Sequence, residues 1–199
     1  MQMNENVFIY RIDNRDIIVS VSRNWESFAR ANAWGSELSP ENVVGHLLWD
    51  FIQGAETRHL YKEVFRRARA GRLTGPIPFR CDSPQERRFL KLLLSPLPDC
   101  QIEITSTIVR TERRVPIRLI DKDMPRSSDF IRICSMCKKI LTSHNKWVEI
   151  EDGLVQLKPF EVDEMPRLTH GLCPECYLVT IAELDDLGPP QKGMDSDEE

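Results

Sequence analysis

The sequence predicts an α+β protein in which one antiparallel sheet of five strands is covered on one face by helices, and a small cysteine-rich unit follows. Three observations predict this arrangement. Runs of β-forming residues stand at both ends of the first 110 residues, and helical runs stand between them. The length of 199 residues leaves room for one full domain and a smaller one. Two Cys-x-x-Cys pairs lie in the last third of the chain.

The strands are predicted from residue type and turn chemistry. Two β-rich runs, Val7–Ile12 and Ile17–Val21, flank a polar Asp/Asn turn and are typical of a β-hairpin. Three further strand-like runs follow the helical segment and are separated by turns that contain proline: Pro76–Cys81, Phe89–Ser95 and Gln101–Val109. Two strands before the helices and three after them favour a single antiparallel sheet.

Helices are predicted between the second and third strands. Asn24 is placed to cap a short helix that ends near Gly35, because apolar residues follow it at helical spacing: Trp25, Phe28 and Ala29. Residues 40–54 are interrupted by glycine and favour short helical turns. The clearest helix covers residues 57–70, where Gly71 supplies the stop. Its apolar positions repeat with the helical period: Leu60, Tyr61, Val64, Phe65 and Ala68.

The runs divide the chain into four predicted parts. A first domain covers residues 5–110, and a charged connector with one short strand around Ile117–Ile120 covers residues 111–130. A cysteine-rich unit covers residues 131–184. Residues 185–199 are rich in Gly, Pro and acidic residues and are predicted to be disordered.

Charge and hydropathy exclude several classes of protein. The net charge is −4, but the last fifteen residues hold six acids and one Lys, and without them 26 bases face 25 acids. Bulk charge therefore does not favour binding to nucleic acid or an anionic membrane. No apolar run approaches the roughly 18–20 residues of a membrane span, and the N-terminus lacks the order of a secretion signal. We expect a cytoplasmic protein whose six cysteines are thiols or metal ligands.

Three short motifs in the first domain resemble those of the PAS sensor family: Asn24-Trp25-x-x-Phe28, Val43-Val44-Gly45 and Trp49-Asp50-Phe51-Ile52. The resemblance covers roughly residues 5–110 and includes the order of strands and helices. It implies a five-stranded antiparallel sheet with a concave face that holds a small ligand or contacts a partner. Short helices and the helix at residues 57–70 would close that face.

The four cysteines of the last third form two knuckles, Cys134-x-x-Cys137 and Cys173-x-x-Cys176, separated by 35 residues. Two residues between thiols let both sulfurs converge on one ion, and four thiolates so placed close a tetrahedron around Zn²⁺. With Trp147, the segment resembles the small cysteine-rich modules attached to PAS, GAF or receiver domains in bacterial signalling proteins. A structural zinc is therefore predicted in this unit.

Other chemistries for the cysteines remain open. Four reduced thiols packed as small apolar residues need no metal. A thiol-based redox sensor is also compatible with two Cys-x-x-Cys pairs, although the βαβ setting of thioredoxin-type pairs is not evident. His170 stands three residues before Cys173 and is a candidate ligand or orienting group. His144 is expected at the surface, and Cys81 and Cys100 are expected in the core or at strand ends.

The sequence of the first domain does not name a ligand. Helical geometry places His59 on the solvent face of its helix, which argues against haem ligation there. His46 is a candidate haem ligand or a surface residue. The photoreactive flavin class needs a cysteine that residues 40–60 lack. We therefore expect a PAS domain that holds no ligand and acts through a protein partner.

Basic residues are concentrated between Glu56 and Lys91, where ten Lys and Arg stand against four acids. A solvated face balanced by acids elsewhere is the simplest interpretation. Phosphate contacts in a nucleic-acid-binding regulator are the alternative. No phosphate loop, kinase motif, nucleophile elbow or HExxH occurs, so no catalytic output is expected.

Together these features predict a signalling or regulatory protein that acts by contact with a protein partner. A homodimer is expected, because an exposed apolar strip seldom stays unpaired on a soluble protein. The basic helix face would remain free for the partner. The apolar candidates for the dimer interface are the run Val7–Tyr10 and four connector residues: Val115, Ile117, Leu119 and Ile120.

Overall fold

The computed structural model describes residues 6–31, 37–157 and 164–185, which form an α+β protein with two sheets. The first sheet has five antiparallel strands in the order β2-β1-β5-β4-β3. Its strands are β1 Val7–Ile12, β2 Ile18–Val21, β3 Thr74–Arg80, β4 Glu86–Pro96 and β5 Ile102–Arg113. The sheet predicted from the sequence is therefore confirmed. The predicted helix end near Gly35 and the acidic segment 186–199 lie outside the described residues.

Three helices and a 3₁₀ turn stand between β2 and β3. They are α1 Trp25–Ala31, α2 Pro40–Val43, a 3₁₀ turn at Leu48–Asp50 and α3 Ala55–Arg69. Helix α3 begins two residues before its predicted start and ends before Gly71, where φ is +81°. Within the described segments, no helix combines the length and apolar character that a membrane span requires.

The main core lies between helix α3 and the first sheet. Alternate positions along the strands face this core, because successive side chains of a strand point to opposite faces. They include Ile12, Ile77, Leu92, Leu94, Ile102 and Ile104, all buried. Helix α3 contributes the buried stripe Thr57, Leu60, Val64, Phe65 and Ala68. The periodicity of the sequence predicted this stripe from Leu60 onward.

The second sheet carries the cysteine-rich unit and has four strands in the order β8-β7-β6-β9. The strands are β6 Arg126–Cys134, β7 Ile140–Leu141, β8 Trp147–Val148 and β9 Met165–Gly171. Its helices are α4 Ile150–Leu157 and α5 Pro174–Asp185. Strands β6 and β9 are parallel neighbours. We call this sheet with α4 and α5 the second unit, and the first sheet with α1–α3 the first unit.

The connector is more ordered and more buried than the sequence predicts. A 3₁₀ turn occupies Arg118–Ile120, so the strand predicted around Ile117–Ile120 is wrong. Ile117 and Leu119 are only 6% and 0% exposed, because they pack into a second small core beneath β6 and α4. They are therefore not the exposed apolar residues that the dimer hypothesis assigned to them. Val115 remains exposed at 82%.

The two units share one apolar core. Cys134, Met136 and Cys173 of the second unit belong to the same continuous cluster as Phe65 and Leu92 of the first. Helix α5 packs along the edge strand β3, and helix α3 contacts strand β9. The second unit is thus seated on α3 and β3 rather than tethered to the first unit by the connector alone.

Candidate metal centre

Strand order brings the two cysteine pairs together. Cys134 ends strand β6 and lies opposite Gly171, the last residue of the parallel strand β9. Parallel neighbours end at the same edge of a sheet, so the segments that follow them start side by side. The first pair occupies the turn after β6, and the second pair lies between β9 and α5. The four sulfurs of Cys134, Cys137, Cys173 and Cys176 lie within 4.8 Å of one another.

The first pair sits on a tight turn held by its own backbone. The N–H of Cys134 donates to the carbonyl of Lys139 at 2.8 Å, and the N–H of Lys138 donates to the carbonyl of Cys134 at 3.1 Å. Lys138 adopts a left-handed conformation, with φ of 64°, that reverses the chain. The reversal directs the sulfurs of Cys134 and Cys137 toward the same centre.

The second pair occupies the start of helix α5. Pro174 is the first residue of the helix, a position that proline favours because no N–H is needed there. The carbonyl of Cys173 accepts the helical hydrogen bond from the N–H of Tyr177 at 3.1 Å. Cys176 then falls in the first turn. The positive end of the helix dipole lies beside both sulfurs.

Backbone N–H groups point at the sulfurs. The N–H of Cys173 donates to Cys134 Sγ and the N–H of Cys176 donates to Cys173 Sγ, each at 3.4 Å. The sulfur of Cys134 also accepts from the N–H of Cys137, and that of Cys137 from the N–H of Lys139. Such donors stabilise a thiolate over a thiol.

Three of these closely spaced thiols also shift one another's pKa. Hydrogen bonds from the Cys137 and Cys176 thiols, together with the backbone donors, hold the pKa of Cys134 far below its usual value. Hydrogen bonding to the Cys134 thiolate in turn raises the pKa of Cys137 and of Cys176. A cluster without a cation therefore accommodates one thiolate readily and resists further ones. A divalent cation removes this conflict because it neutralises the thiolates.

The distances favour metal ligation over a disulfide. Cys137 Sγ and Cys173 Sγ are 3.7 Å apart, and all six cysteines are free thiols. A disulfide needs about 2.05 Å. In a tetrahedron with metal–sulfur bonds of about 2.3 Å, the edge between two sulfurs is about 3.8 Å. The separation of Cys137 and Cys173 is thus that of two ligands on one ion.

The other residues considered from the sequence lie outside this group of four sulfurs. His170 is not among the clustered ligand atoms; its Nδ1 is buried without a hydrogen-bond partner, and burial lowers its pKa. His46, His59 and His144 are exposed, as predicted for His59 and His144. Cys81 follows strand β3, where burial raises its pKa, and Cys100 is exposed just before β5.

The basic stretch of the first unit is neutralised rather than free. Arg66 and Arg67 pair with Glu63, whose pKa is lowered to about 2 by the hydrogen bond from Arg66. Arg69 pairs with Asp16 at 2.5 Å. Glu63 lies within the basic stretch, and Asp16 lies outside it, as the interpretation of a face balanced by acids elsewhere predicts. Contact of this helix face with a partner stays a prediction.

Further along the stretch, arginines bond to acids of the second unit. Arg80, 7% exposed in its side chain, bonds to Asp82 at 2.5 Å and to Glu149 at 2.7 Å. Arg114 contacts Asp82 at 3.1 Å and Glu151 at 3.3 Å. Arg87 bonds to Glu151 at 2.7 Å. We call these six residues the ionic network: Arg80, Asp82, Arg87, Arg114, Glu149 and Glu151.

Sequence reasoning missed the contact between the units. Thr57 lies three residues before Leu60 and seven before Val64, so it continues the buried stripe of α3 at helical spacing. Met136 is an apolar residue between the two cysteines of a pair, and an apolar side chain is disfavoured at an exposed position of a turn. The sequence thus indicated that both side chains are buried, but it did not indicate which element each one packs against.

No protein-family model matches the chain, and no curated protein matches its sequence significantly. The chemistry of the site therefore carries the functional argument. Four sulfur donors, two of them on fully buried residues, form a group that is compatible with a tetrahedral metal site.

Proposed function

We propose that Cys134, Cys137, Cys173 and Cys176 hold a structural zinc ion, and that the chain is a PAS-type signalling or regulatory protein without catalytic output. In this proposal the protein acts through contact with another protein. The observation that carries the zinc site is the group of four sulfurs within 4.8 Å, with backbone donors aimed at them.

Zinc is favoured over other ions by the donor set. Four thiolates in tetrahedral array suit Zn²⁺ or iron–sulfur chemistry, whereas Mg²⁺ and Ca²⁺ require oxygen ligands. The separation of 3.7 Å between Cys137 Sγ and Cys173 Sγ supports a single ion at the centre of the four sulfurs. A ring of closely spaced sulfurs leaves no room for a multi-iron cluster.

The PAS assignment is supported by the five antiparallel strands and by the helices inserted between the second and third of them. Helix α3 covers one face of the sheet, as the resemblance implies for the longer helix. A space between α3 and the sheet is too narrow to admit a water molecule; it is lined by Leu60, Tyr61, Val64, Ile77, Leu92, Met136 and Thr180.

Metal analysis and thiol titration of the purified full chain test the zinc site. We expect one zinc per chain, a freely reacting thiol at the exposed Cys100, a slowly reacting one at the half-buried Cys81, and four protected thiols. Cys134→Ser should abolish stoichiometric zinc binding, whereas Cys100→Ser, an exposed cysteine outside the group, should leave it unchanged. Absence of metal with all six thiols reactive contradicts the proposal. Reversible disulfides within the group of four would instead support the redox-sensor hypothesis.

The contact function is proposed to include a homodimer, for which strand β1 and the exposed Val115 are the remaining candidate surfaces. Val7 and Ile9 are partly exposed on the side of the sheet opposite α3. Light scattering over a concentration series tests β1: Ile9→Asp should shift a dimer toward monomer, and Val155→Asp, at an exposed position of α4, is the matched control. A wild-type chain that stays monomeric at high micromolar concentration contradicts the dimer.

A further inference from the structure

The turn that carries the first cysteine pair inserts a side chain into the first unit. Met136 is 3% exposed, although it lies between two cysteines on a turn. It lines the narrow space between α3 and the first sheet together with Leu60, Val64, Ile77 and Leu92. Its neighbours there are residues of the first unit, with Thr180 of α5 beside them. The main core of the protein is thus completed by a residue from the turn that carries the first cysteine pair.

Two groups of this turn, the carbonyl of Met136 and the hydroxyl of Ser135, form hydrogen bonds to β3 and α3. The carbonyl of Met136 accepts a hydrogen bond from the N–H of Arg80, the last residue of β3, at 2.7 Å. Ser135 Oγ and Thr57 Oγ1, on helix α3, lie 2.7 Å apart in a hydrogen bond. Thr57 is only 3% exposed, so its hydroxyl has no alternative partner in bulk water.

The segment leading to the second cysteine pair also touches helix α3. A Cβ on Gly54, which precedes the helix with φ of +86°, would stand 2.6 Å from the carbonyl oxygen of His170. Only glycine permits this close approach. The turn of the first cysteine pair and the segment before the second pair therefore both contact the start of α3.

We propose that metal in the four-cysteine centre acts as a latch: it holds Met136 between α3 and the sheet, and metal loss withdraws Met136 and opens an apolar cleft in the first unit. This inference rests on the proposed zinc site. The ion joins the two ends of a turn of four residues, Cys134 to Cys137, to two sulfurs beside α5. Without the ion, the left-handed conformation of Lys138 disfavours that turn. The exposed cleft would consist of Leu60, Val64, Ile77 and Leu92.

Hydrogen exchange measured by mass spectrometry on the full chain tests the latch. The zinc-loaded chain is compared with the same chain after chelation under reducing conditions, and then after zinc is returned. We expect exchange in residues 55–64 and 74–80 to become about tenfold faster or more on chelation and to recover with zinc. Faster exchange confined to residues 134–141 and 171–185 would overturn the latch.

If the metal-free chain unfolds throughout, a variant that keeps all four sulfurs still tests the latch. Met136→Ala should bind zinc at the wild-type ratio and still show exchange in residues 55–64 that is about tenfold faster, because the space beside α3 loses its filling side chain. Met124→Ala, in the connector, is the matched control and should leave that exchange unchanged. Unchanged exchange in Met136→Ala would overturn the latch.

Zinc content measured on the same samples separates the two proposals. If the chain binds no zinc, the proposed metal centre and the latch are both wrong. If the chain binds one zinc but chelation leaves exchange in helix α3 unchanged, the latch is wrong and the structural zinc site still stands.

Discussion

The first and second units are stabilised by different means. In the first unit, helix α3 and the five-stranded sheet bury a continuous layer of aliphatic and aromatic side chains. The second unit has a smaller core around Ile133, Ile140 and Ile150, and relies in addition on four sulfurs and the ionic network. A short segment buries too little apolar surface to stand alone, so a metal ion or a neighbour must supply the difference. Here the first unit is such a neighbour, and the four sulfurs form a group that is compatible with a metal site.

The difference between the units does not make them independent. Met136 and the buried cysteines complete the core of the first unit, and acids of the second unit neutralise buried arginines of the first. We therefore expect a change that destabilises one unit to destabilise the other as well, through this contact. The following experiments test how far each unit depends on the other.

The largest effect is expected from loss of a sulfur. Cys134→Ser removes one of the four ligands, and structural zinc contributes about 10–16 kcal/mol in small zinc domains. We expect the second unit to unfold and the first to lose stability as well, because the two share a core. Hydrogen exchange measured by mass spectrometry should become faster in β1 and β5 of the first unit as well as in the second unit. Unchanged exchange in β1 and β5 would show that the first unit is independent.

The next effect is expected from the core of the first unit. Phe65 is 1% exposed and stacks near Trp49 and Tyr61, with ring centroids 5.6 and 5.9 Å away. Phe65→Ala should lower the free energy of unfolding by about 3–5 kcal/mol. His59→Ala, on the exposed face of the same helix, should be nearly neutral. Denaturant titration measures both, and equal losses would contradict the assigned helix face.

A smaller loss is expected from the buried part of the ionic network. Asp82, with a side chain 2% exposed, faces the two buried arginines Arg80 and Arg114. Asp82→Asn keeps the shape but leaves these cations short of one charge, which should cost about 3 kcal/mol. The control is Glu26→Gln, which breaks an exposed pair with Arg30 and should change stability by less than about 0.5 kcal/mol. Similar losses for both would show that burial adds nothing.

The smallest effect is expected in the pH dependence of the contact between units. Burial opposes ionisation of Glu151, but the hydrogen bond and charge of Arg87, with Arg114, hold its pKa below the ordinary value. A carboxyl whose pKa is lower in the folded than in the unfolded chain stabilises above the unfolded pKa, and this contribution is lost as pH falls. Glu151→Gln should therefore lower stability at neutral pH and flatten its loss under acid. The same acid dependence in the wild-type chain and in Glu151→Gln would contradict this assignment.

The elements that were predicted correctly depend on local patterns. The five strands follow from β-forming runs, and α3 follows from apolar residues at helical spacing with Gly71 behind them. The grouping of four cysteines was likewise predictable, because a Cys-x-x-Cys pair places two sulfurs side by side whatever surrounds it.

The elements that were predicted wrongly depend on distant partners. Ile117 and Leu119 stand on either side of the charged Arg118 in a sequence typical of a short strand, but β6 and α4 cover them. The arginines of α3 look free in the sequence, yet Asp16, 53 residues before Arg69, binds one of them. Burial and ion pairing between such residues cannot be read from spacing, because the chain between them does not fix their distance.

What the sequence determined by itself is the set of parts: one sheet-and-helix unit, two cysteine knuckles and the connector between them. Each follows from interactions within a few residues, where backbone geometry sets the spacing of side chains. Only the tertiary structure decided that Met136 enters the core beside Val64 and that Arg80 meets Glu149. These contacts depend on the parallel placement of β9 beside β6, which brings residues together across long loops, and loop closure leaves no local pattern in the sequence.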